Sequence, residues 1–586
     1  MSETRGSGTG AGVQSGEPAP AVWAPLAHPV FRALWIAQLA SAIGTWMQTV
    51  AAQWLMVQWG PALVALVMTA SMLPVFVLGL PSGVLADLVD RRRLLVAAQL
   101  LMLVTAGALA GLTWAGLTTP VVLLGLVFLL GCGTALMGPA WQAIQPELVP
   151  REQLLQAASL GAANVNIARS VGPALGGLLV AVAGPAWVFA LNAVSFIGVV
   201  VVLARWRRPA QALVGGERER ALAALWAGGR YVRNDPEVRR VLLRVLLFVP
   251  PSAALWALLP VVANRVLGLG AGGYGLLLAA VGVGAVSGAA VLPRVSRRWG
   301  STLLVAVGSA ALAPVLVVMA VVDVPALLAV LLVVAGLAEL AVLSTFNASL
   351  QLLMPAWVRA RGLAISMTVF MGGAAFGAAF WGALASRIGL TETLLIAAGV
   401  LLLGAATVGV WPLSEAAGLD RSASMHWPVP SLVFEPPPDR GPVLISIEYR
   451  VPTENTAAFV ATMQELALAR RRTGGMDWGL YQDADDQQRF LENYLVASWS
   501  EHMAQHGGRL TGADRELEEQ AWALLMEPPA VTHAFAATGR RIRQGQGVAP
   551  RAVRGITGEG QPEKEEGSNK REQGEGGMGF ERDRHD

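Results

Sequence analysis

The stretch Gly83-Val84-Leu85-Ala86-Asp87-Leu88-Val89-Asp90-Arg91-Arg92-Arg93 lies between two apolar segments, each long enough to cross a bilayer. A membrane span needs about 20 mostly apolar residues, because the hydrocarbon core is roughly 30 Å thick. Three consecutive arginines beside such a span indicate its cytoplasmic end. The sequence therefore predicts a charged hairpin between two membrane helices, facing the cytoplasm. A basic loop that only sets the topology would carry the same charges.

The composition excludes a soluble globular protein. Of the 586 residues, 54% are hydrophobic and 14% are charged, against about 25% charged in soluble proteins. Nearly all the basic residues are arginines, and they are scattered through short loops rather than gathered on one face, which argues against a nucleic-acid partner. Cys132 is the single cysteine, so an intrachain disulfide is impossible. We expect a multi-pass protein embedded in a lipid bilayer.

Apolar segments bounded by glycine, proline or charged residues predict twelve membrane helices. Their approximate positions are 31–58, 62–87, 93–117, 120–142, 160–183 and 186–204, then 241–263, 271–292, 302–322, 325–348, 362–385 and 392–411. They form two six-helix bundles, at 29–204 and 241–413, joined by a cytoplasmic central loop at 205–240. Loop arginines are concentrated on one side, with only Arg265 and Arg387 on the other, so both termini are expected in the cytoplasm.

The two bundles resemble each other in sequence. Pro146-Glu147-Leu148-Val149 recurs as Pro355-Ala356-Trp357-Val358, and Gly172 and Gly176 have counterparts at Gly373 and Gly377. Two repeated bundles are what a transporter needs to alternate access to a site at the midplane. The central loop contains an amphipathic pattern that predicts a short helix on the inner membrane surface. A plain tether is an equally good interpretation of that loop.

The ends of the chain have a different composition. Residues 1–28 are rich in glycine, serine and proline and are expected to be a disordered N-terminus, 414–442 form a Pro-rich linker, and 537–586 form a disordered tail. Residues 443–536 alternate between strand and helix patterns in the order β-α-β-β-α-β. This order predicts a small α+β, ferredoxin-like cytoplasmic domain.

Charges inside the spans are functional candidates, because each costs about 2.5–3.5 kcal/mol on insertion scales. Arg169 in the fifth span and Glu339 in the tenth are such charges. Glu339 is the deeper of the two and is our candidate for proton coupling, with a structural carboxylate as the alternative. Arg169 lies near the cytoplasmic end, where snorkelling to the surface is an alternative role. Arg244 lies at a helix end and is expected to snorkel.

Polar and aromatic residues within the spans are candidates for a substrate cavity that binds an amphipathic small molecule. They are Gln48, Gln53, Asn164, Asn166, Trp256, Asn347 and Gln351. Hydrogen bonds between helices are the alternative for each. Because the sequence contains no Gly-rich, Lys-containing nucleotide loop, ATP is not the expected energy source. No cofactor is expected.

In the small domain, His502 and His506 are one helical turn apart, the spacing of two metal ligands. No third ligand is evident in the sequence nearby, so we expect no metal site and no catalytic residues. The aromatic residues of the domain are expected to fill its core rather than line a pocket. They are Trp478, Tyr481, Phe490, Tyr494 and Trp499. One face of a sheet of this size needs cover, and the fold resemblance given below implies that a second copy of the chain supplies it in a homodimer.

Several motifs carry a family resemblance. A glycine, an aspartate four residues on and an arginine pair, at Gly83–Arg92, resemble the loop between helices 2 and 3 of the major facilitator superfamily. The resemblance implies a cytoplasmic gate and a second proton-coupling candidate in Asp87. The gate residues are Gly83, Asp87, Arg91, Arg92 and Arg93. Arg169, Gly172, Pro173, Gly176 and Gly177 resemble the glycine-proline motif of drug–proton antiporters, although close helix packing alone would favour the same small residues.

Three further motifs narrow the resemblance to the transmembrane secretion effector branch of that superfamily. They are Gly44-Thr45-Trp46-Met47-Gln48, Arg230-Tyr231-Val232-Arg233 and Trp357-Val358-Arg359-Ala360-Arg361. The appended domain resembles the antibiotic biosynthesis monooxygenase-like fold, whose members usually pair into a dimeric barrel.

The resemblance implies a secondary transporter in the bacterial cytoplasmic membrane that exports a small amphipathic drug, siderophore or secondary metabolite. Protons are the expected counter-ion and alternating access the expected mechanism. We do not expect an enzyme. The alternatives are a transporter fused to a working monooxygenase-like domain, or to a module that senses ligand or dimerises.

Overall fold

Prolines and glycines set the ends of many of the long helices. Six of these helices begin with a proline, whose missing N–H is no loss in the first turn. Gly184, with φ +87°, and Gly389, with φ +102°, separate consecutive helices, a backbone conformation that L side chains rarely adopt. The structure is a computed structural model that describes residues 22–206, 221–413, 420–430 and 432–537.

Twelve long helices form two groups of six. The first group is α1 Pro29–Met56, α2 Pro61–Leu88, α3 Arg91–Trp114, α4 Pro120–Leu148, α5 Leu154–Ala183 and α6 Pro185–Arg205. A shorter helix, α7 Ala221–Asn234, follows. The second group is α8 Pro236–Val261, α9 Ala271–Ser296, α10 Ser301–Val321, α11 Pro325–Leu353, α12 Ala356–Ile388 and α13 Leu390–Ala406. Among the described residues, eleven of the twelve are long and apolar enough to cross a membrane. The exception, α1, is 28 residues long and packs between α5 and α6.

Several helices are longer than their apolar segments. The helix predicted near 241 begins at Pro236, because the buried Asp235 side chain accepts hydrogen bonds from the backbone N–H groups of Glu237 and Val238 at 3.0 and 3.1 Å. Likewise, α5 begins at Leu154 and α12 at Ala356, several residues before the predicted positions. Hydropathy marks only the part of a helix that lies in hydrocarbon, whereas caps and backbone hydrogen bonds decide where the helix ends.

Contacts between the two groups of helices are concentrated toward one end of the bundle. We call the end that carries the α2–α3 hairpin and the C-terminal domain the domain-side end, and the opposite end the far end. At the far end, the Ala62 N–H donates to Ser386 Oγ at 3.1 Å and Thr69 Oγ1 donates to the Ala375 carbonyl at 2.9 Å. Further toward the middle, Ser170 Oγ donates to the carbonyl of Gly282 at 3.3 Å.

Glycines permit the closest of these contacts. A Cβ added to Gly177 of α5 would lie 2.6 Å from the Cα of Gly275 in α9 and 2.7 Å from the Ala271 carbonyl oxygen. Both contacts are with backbone, so neither can be relieved by moving a flexible side chain. The helices α5 and α9 therefore meet at the far end only because both positions lack a side chain.

Arg244 of α8 is buried instead of extending to the membrane surface, contrary to the prediction. Its guanidinium donates to the carbonyl oxygens of Gly404, Thr407 and Trp411 at 3.0, 2.7 and 2.6 Å, and to Thr407 Oγ1 at 2.8 Å. These carbonyls lie at the end of α13, where backbone acceptors lack partners in their own helix. Arg244 thus caps a neighbouring helix.

The C-terminal domain contains a four-stranded antiparallel sheet. The elements are β1 Val443–Arg450, α14 Thr456–Thr473, β2 Met476–Gln482, β3 Arg489–Val496, α15 Trp499–Ala504, α16 Gly512–Trp522 and β4 Ala530–Phe535. The strands lie in the order β2-β3-β1-β4. Alternate residues of β1 are buried against Phe459 and Met463 of α14. The predicted fold class, a helical membrane protein with a small α+β domain, is confirmed.

An ion network lies inside this domain. Arg470 of α14 donates to Glu492 Oε1 at 3.0 Å and also to Glu518. The other partners of the carboxylates are Tyr449 Oη and Trp478 Nε1, both 2.7 Å from Glu492, and His426 Nε2 and Trp427 Nε1, 2.6 and 2.8 Å from Glu518. Burial raises the pKa of Glu518, but the charge of Arg470 and the hydrogen bonds of His426 and Trp427 lower it more, to about 2.

The central-loop helix α7 connects this domain to the membrane helices. Arg230 of α7 pairs with Glu501 of the domain. Asp235, fully buried at the end of α7, lies 3.5 Å from Arg472 of α14. The amphipathic helix predicted for the central loop is therefore present, and it packs against the domain.

A second contact with the domain is made by the start of α12. Trp357 Nε1 donates to the carbonyl of Arg509 at 3.2 Å, and the Arg509 guanidinium lies 5.0 Å from the centre of the Trp357 ring. Tyr231 of α7 packs edge-on against the same ring at 5.8 Å. Two of the motifs that carry the family resemblance, around Arg230 and Trp357, therefore hold the domain in place.

We predict that Gly177→Val weakens closure of the far end. Overpacking costs about 1–3 kcal/mol, enough to change a conformational equilibrium by about 5- to 150-fold. Spin labels at Val182 and Leu276, exposed far-end positions of α5 and α9, should report a longer distance in electron–electron double resonance. Gly107→Val is the matched control, because a Cβ at Gly107 meets nothing within 4 Å. An unchanged distance distribution in Gly177→Val would contradict the prediction.

A second prediction concerns acid stability. Because the folded pKa of Glu518 lies below its ordinary value of 4.5, its carboxylate stabilises the domain fully above about pH 4.5, and this contribution is lost as the pH falls toward 2. Glu518→Gln should lower the free energy of unfolding by about 3 kcal/mol at pH 7. The difference in this free energy between the variant and wild type should shrink between pH 5 and 2. Denaturant unfolding of the detergent-solubilised chain, followed by near-ultraviolet circular dichroism, measures both.

The control for this experiment is Glu465→Gln, which changes an exposed carboxylate on α14. It should differ little from wild type at any pH. If the difference in unfolding free energy between Glu518→Gln and wild type stays constant from pH 7 to 2, ionisation of this carboxylate does not account for the loss of stability in acid.

Candidate functional site

An ion pair connects the two halves of the bundle near its middle. Arg169 Nη2 of α5 donates to Glu339 Oε2 of α11 at 2.8 Å. The other carboxylate oxygen, Oε1, accepts from Trp256 Nε1 of α8 at 2.9 Å. The Arg169 guanidinium also lies 4.9 Å from the centre of the Trp256 ring. The two charges singled out in the sequence are therefore partners, and Arg169 extends toward α11.

This pair is mostly shielded from solvent. The side chain of Arg169 is 22% exposed and that of Glu339 is 11% exposed. Separating two charges in such a place is costly, because each would remain buried without its partner. The pair therefore favours the arrangement in which α5 and α11 are close.

Aromatic and amide groups continue the connection between halves. Trp46 of α1 packs 6.2 Å from Trp256. Gln53 of α1 donates to the Trp256 carbonyl at 3.2 Å, and its Oε1 accepts from Tyr274 Oη of α9 at 2.6 Å. The sequence analysis did not single out Tyr274. The sequence feature that could have identified it is a tyrosine within an apolar span, because a buried hydroxyl needs a hydrogen-bond partner.

The other predicted cavity residues divide into two kinds. Gln48 accepts from Asn192 at 2.5 Å, and Asn164 donates to the Trp35 carbonyl at 3.0 Å, so both join helices within the first half. The remaining three, on the domain side of the ion pair, are exposed. They are Asn166 of α5 and Asn347 and Gln351 of α11, the last two joined by a 2.9 Å hydrogen bond. These three remain candidates for contact with a solute.

The predicted gate residues make contacts within the first half in this conformation. Arg91 pairs with Glu147 of α4 at 3.2 Å, and Arg92 donates to the Leu203 and Ala204 carbonyls of α6 at 2.7 and 2.6 Å. The N–H of Arg93 is capped by Asp90 at 2.9 Å. The side chain of Asp87 lies outside the described residues, and a Cβ at Gly83 would meet nothing within 4 Å. A gate that bridges the halves stays a prediction.

The small residues of α5 pack on two neighbours. A Cβ at Gly172 would lie 2.5 Å from Trp46 Cβ, and one at Gly176 would lie 2.7 Å from the Cα of Met47, both in α1. Gly177 faces α9 of the other half, as described above, and the carbonyl of Pro173 lies close to Gly275 there. The motif thus lets α5 approach its own half and the opposite half at once.

In the C-terminal domain, the structure brings a third histidine to the two that the sequence analysis singled out. His533 of β4 joins His502 and His506, and one ring nitrogen from each lies within 4.8 Å of the others. Burial lowers the pKa of His502 to about 3 and also lowers the pKa values of His506 and His533. All three are therefore neutral at pH 7, the state in which imidazole binds metals. The expectation that no third ligand lies nearby was wrong, because His533 is 27 residues further along the chain than His506.

Comparison with known proteins identifies the family. A family model described as transmembrane secretion effector matches residues 20–541. The chain belongs to the transmembrane secretion effector family. This confirms the resemblance stated from the motifs, while the likeness of the C-terminal domain to monooxygenases stays a prediction.

Curated relatives match over part of the chain. The enterobactin exporter EntS of Shigella boydii serotype 4 (strain Sb227) is 31% identical over 273 residues, 45% of this chain and 62% of that protein. The staphyloferrin A transporter of Staphylococcus aureus (strain NCTC 8325 / PS 47) is 27% identical over 263 residues, 44% of this chain and 65% of that protein. In both cases the match spans less than two thirds of the relative's length.

Solved structures share the fold. A bacterial homologue of the iron transporter ferroportin in an inward-facing state has a TM-score of 0.51 and 16% identity, covering 65% of this chain and 98% of that one. A bacterial homologue of the human lysosomal transporter Spinster, inward-facing and occupied, has a TM-score of 0.52 and 16% identity, covering 66% and 97%. At this identity the likeness shows the major facilitator fold alone. The protein is a multi-pass membrane protein of that fold.

Proposed function

We propose that this protein is a secondary active transporter that exports small amphipathic molecules from the bacterial cytoplasm by proton antiport and alternating access. The observation that carries the proposal is the Arg169–Glu339 pair. It joins the two halves of a transporter fold at the middle of the bundle, at 2.8 Å. A charge pair that links the moving parts can couple ion binding to their movement.

The orientation follows from the loop arginines. The domain-side end carries Arg91 to Arg93 and the arginine-rich connection to α8, whereas the far-end loops contain only Arg265 and Arg387. The positive-inside rule then places the domain-side end, both termini and the C-terminal domain in the cytoplasm. Since the halves meet at the far end, we interpret the conformation described here as inward-open.

The pair would couple proton uptake to the exit of substrate. With the carboxylate ionised, opening the far end leaves uncompensated buried charges, at a cost of about 3–5 kcal/mol that bound substrate has to offset. In the outward-open state Glu339, no longer paired with Arg169, takes up a proton from outside as the substrate leaves. On return to the inward-open state, Arg169 again favours the ionised carboxylate, and the proton leaves to the cytoplasm. Each cycle would thus move one proton inward as substrate moves outward.

The lining of the proposed route suits an amphipathic solute. Trp46 and Trp256 offer aromatic faces near the ion pair, and Asn166, Asn347 and Gln351 offer exposed amides nearer the domain-side end. The curated relatives are an enterobactin exporter and a staphyloferrin A transporter. We therefore propose the siderophore class first, with amphipathic drugs as the second class.

For the C-terminal domain we propose a regulatory role. Its contacts with α7 and with the start of α12 attach it to the second half, through Arg230–Glu501 and Trp357–Arg509. A change in the domain would therefore act directly on helices of the transport unit. Homodimerisation through the domain remains the proposal that the fold resemblance suggests, and oxygenase activity is the alternative.

The decisive experiment uses Glu339→Gln in proteoliposomes, with enterobactin and a panel of amphipathic dyes as probes. Transport driven by a pH gradient should be abolished, because the glutamine cannot carry the proton. Counterflow at equal pH should persist, since the amide can still accept from Trp256 Nε1. Rates of both modes are measured against wild type. Gradient-driven transport at the wild-type rate in this variant would refute the proton role of Glu339.

Glu392→Gln provides the matched control. Glu392 is an exposed carboxylate in the first turn of α13, at the far end. The same loss of one negative charge there should leave both transport modes unchanged. Equal loss in the two variants would mean that overall charge, rather than this site, is responsible.

A further inference from the structure

Three imidazole rings converge in the C-terminal domain. His502 Nε2 lies 2.9 Å from His533 Nε2 and 3.2 Å from His506 Nε2. Three tetrahedral Zn–N bonds of 2.0–2.1 Å would hold their nitrogens about 3.3 Å apart. The observed spacing is therefore close to that of ligands around one small cation.

The hydrogen bonds around His502 fix which of its nitrogens is free. Thr473 Oγ1 donates to the Ala469 carbonyl at 2.9 Å, so it accepts from Gln505 Nε2 at 3.1 Å. This orients Gln505 with its oxygen toward His502 Nδ1, at 3.1 Å. An amide oxygen only accepts, so His502 carries its proton on Nδ1 and presents the lone pair of Nε2 to the other two rings. Such a partner on the second nitrogen is the usual arrangement for a metal-binding histidine.

Hydrogen bonds between the three rings cannot use all of their ring nitrogens. The single lone pair of His502 Nε2 faces two ring nitrogens, and it can accept one good hydrogen bond from them. A cation between the three Nε2 atoms would use all three lone pairs at once.

We propose that His502, His506 and His533 bind a divalent transition-metal ion, with one coordination position left open. Three neutral imidazoles suit zinc, copper, nickel or iron rather than magnesium or calcium, which prefer oxygen ligands. Three protein ligands and one open position are typical of sites that exchange a bound water or small ligand.

The surroundings fit such a site. Trp427 packs 5.1 Å from His506 and Trp499 packs 5.3 Å from His502, so the site has an apolar wall. His506 and His533 are only half-buried, which gives an ion a route from solvent. His502 also lies one residue after Glu501, the partner of Arg230 in α7. A metal ion bound at the three histidines would therefore affect the junction between the domain and the membrane helices.

The test is cobalt binding to the full chain in detergent, purified through a tag without histidine. Equilibrium dialysis should give one Co²⁺ per chain, with the visible absorption of nitrogen-bound Co²⁺ that disappears when Zn²⁺ is added. His533→Gln should weaken binding more than about 100-fold, and Gln505→Ala about 10- to 100-fold, the range for a second-layer partner. His28→Gln, which changes a histidine before α1, should bind as wild type does.

His506→Gln keeps the experiment decisive if His533→Gln disturbs β4. His506 is half-buried and outside the sheet, so its replacement should leave the circular dichroism spectrum unchanged while it removes the Co²⁺ bands. Substoichiometric binding by wild type, or equal affinity in wild type and His506→Gln, would overturn the proposal.

Discussion

The Arg169–Glu339 ion pair is the interaction on which the arrangement of the two halves depends. It lies where water is scarce, so neither charge is stable without the other. Trp256 Nε1 donates a second hydrogen bond to the Glu339 carboxylate, at 2.9 Å. The other contacts between halves described above involve carbonyls, hydroxyls, an amide, aromatic rings and glycines, and none of them pairs two charges. Among these contacts, the ion pair is therefore the one whose strength a single proton can change.

Close packing determines where that pair can form. Gly172 and Gly176 let α5 lie against the backbone of α1, and Gly177 lets it touch α9 at Gly275. Because α5 is held on both sides, Arg169, three residues before Gly172, is directed toward α11. The small residues thus position the charge, and a side chain at any of these glycines would displace it.

The C-terminal domain is also held by buried ion pairs, at its junction with α7 and α8. Asp235 caps α8 and pairs with Arg472 of the domain, and Glu501 accepts from Arg230 of α7 and lies 2.9 Å from Arg509. The same residues that end α7 and begin α8 therefore hold the domain. Any ligand of the domain, including an ion at the three histidines, would act through this junction on the second half of the bundle.

The sequence alone determined the helical membrane architecture, because hydropathy over about 20 residues reports directly on burial in lipid. It also determined the β-α-β-β-α-β order, since strand and helix periods differ, and it singled out Arg169, Glu339 and the pair His502 and His506. Only the tertiary structure decided which of these residues contact one another. Arg169 and Glu339 are 170 residues apart, and His533 reaches the other histidines only because β4 pairs with β1. Spacing along a chain predicts neighbours within one helix, whereas contacts between distant helices and strands depend on how they pack.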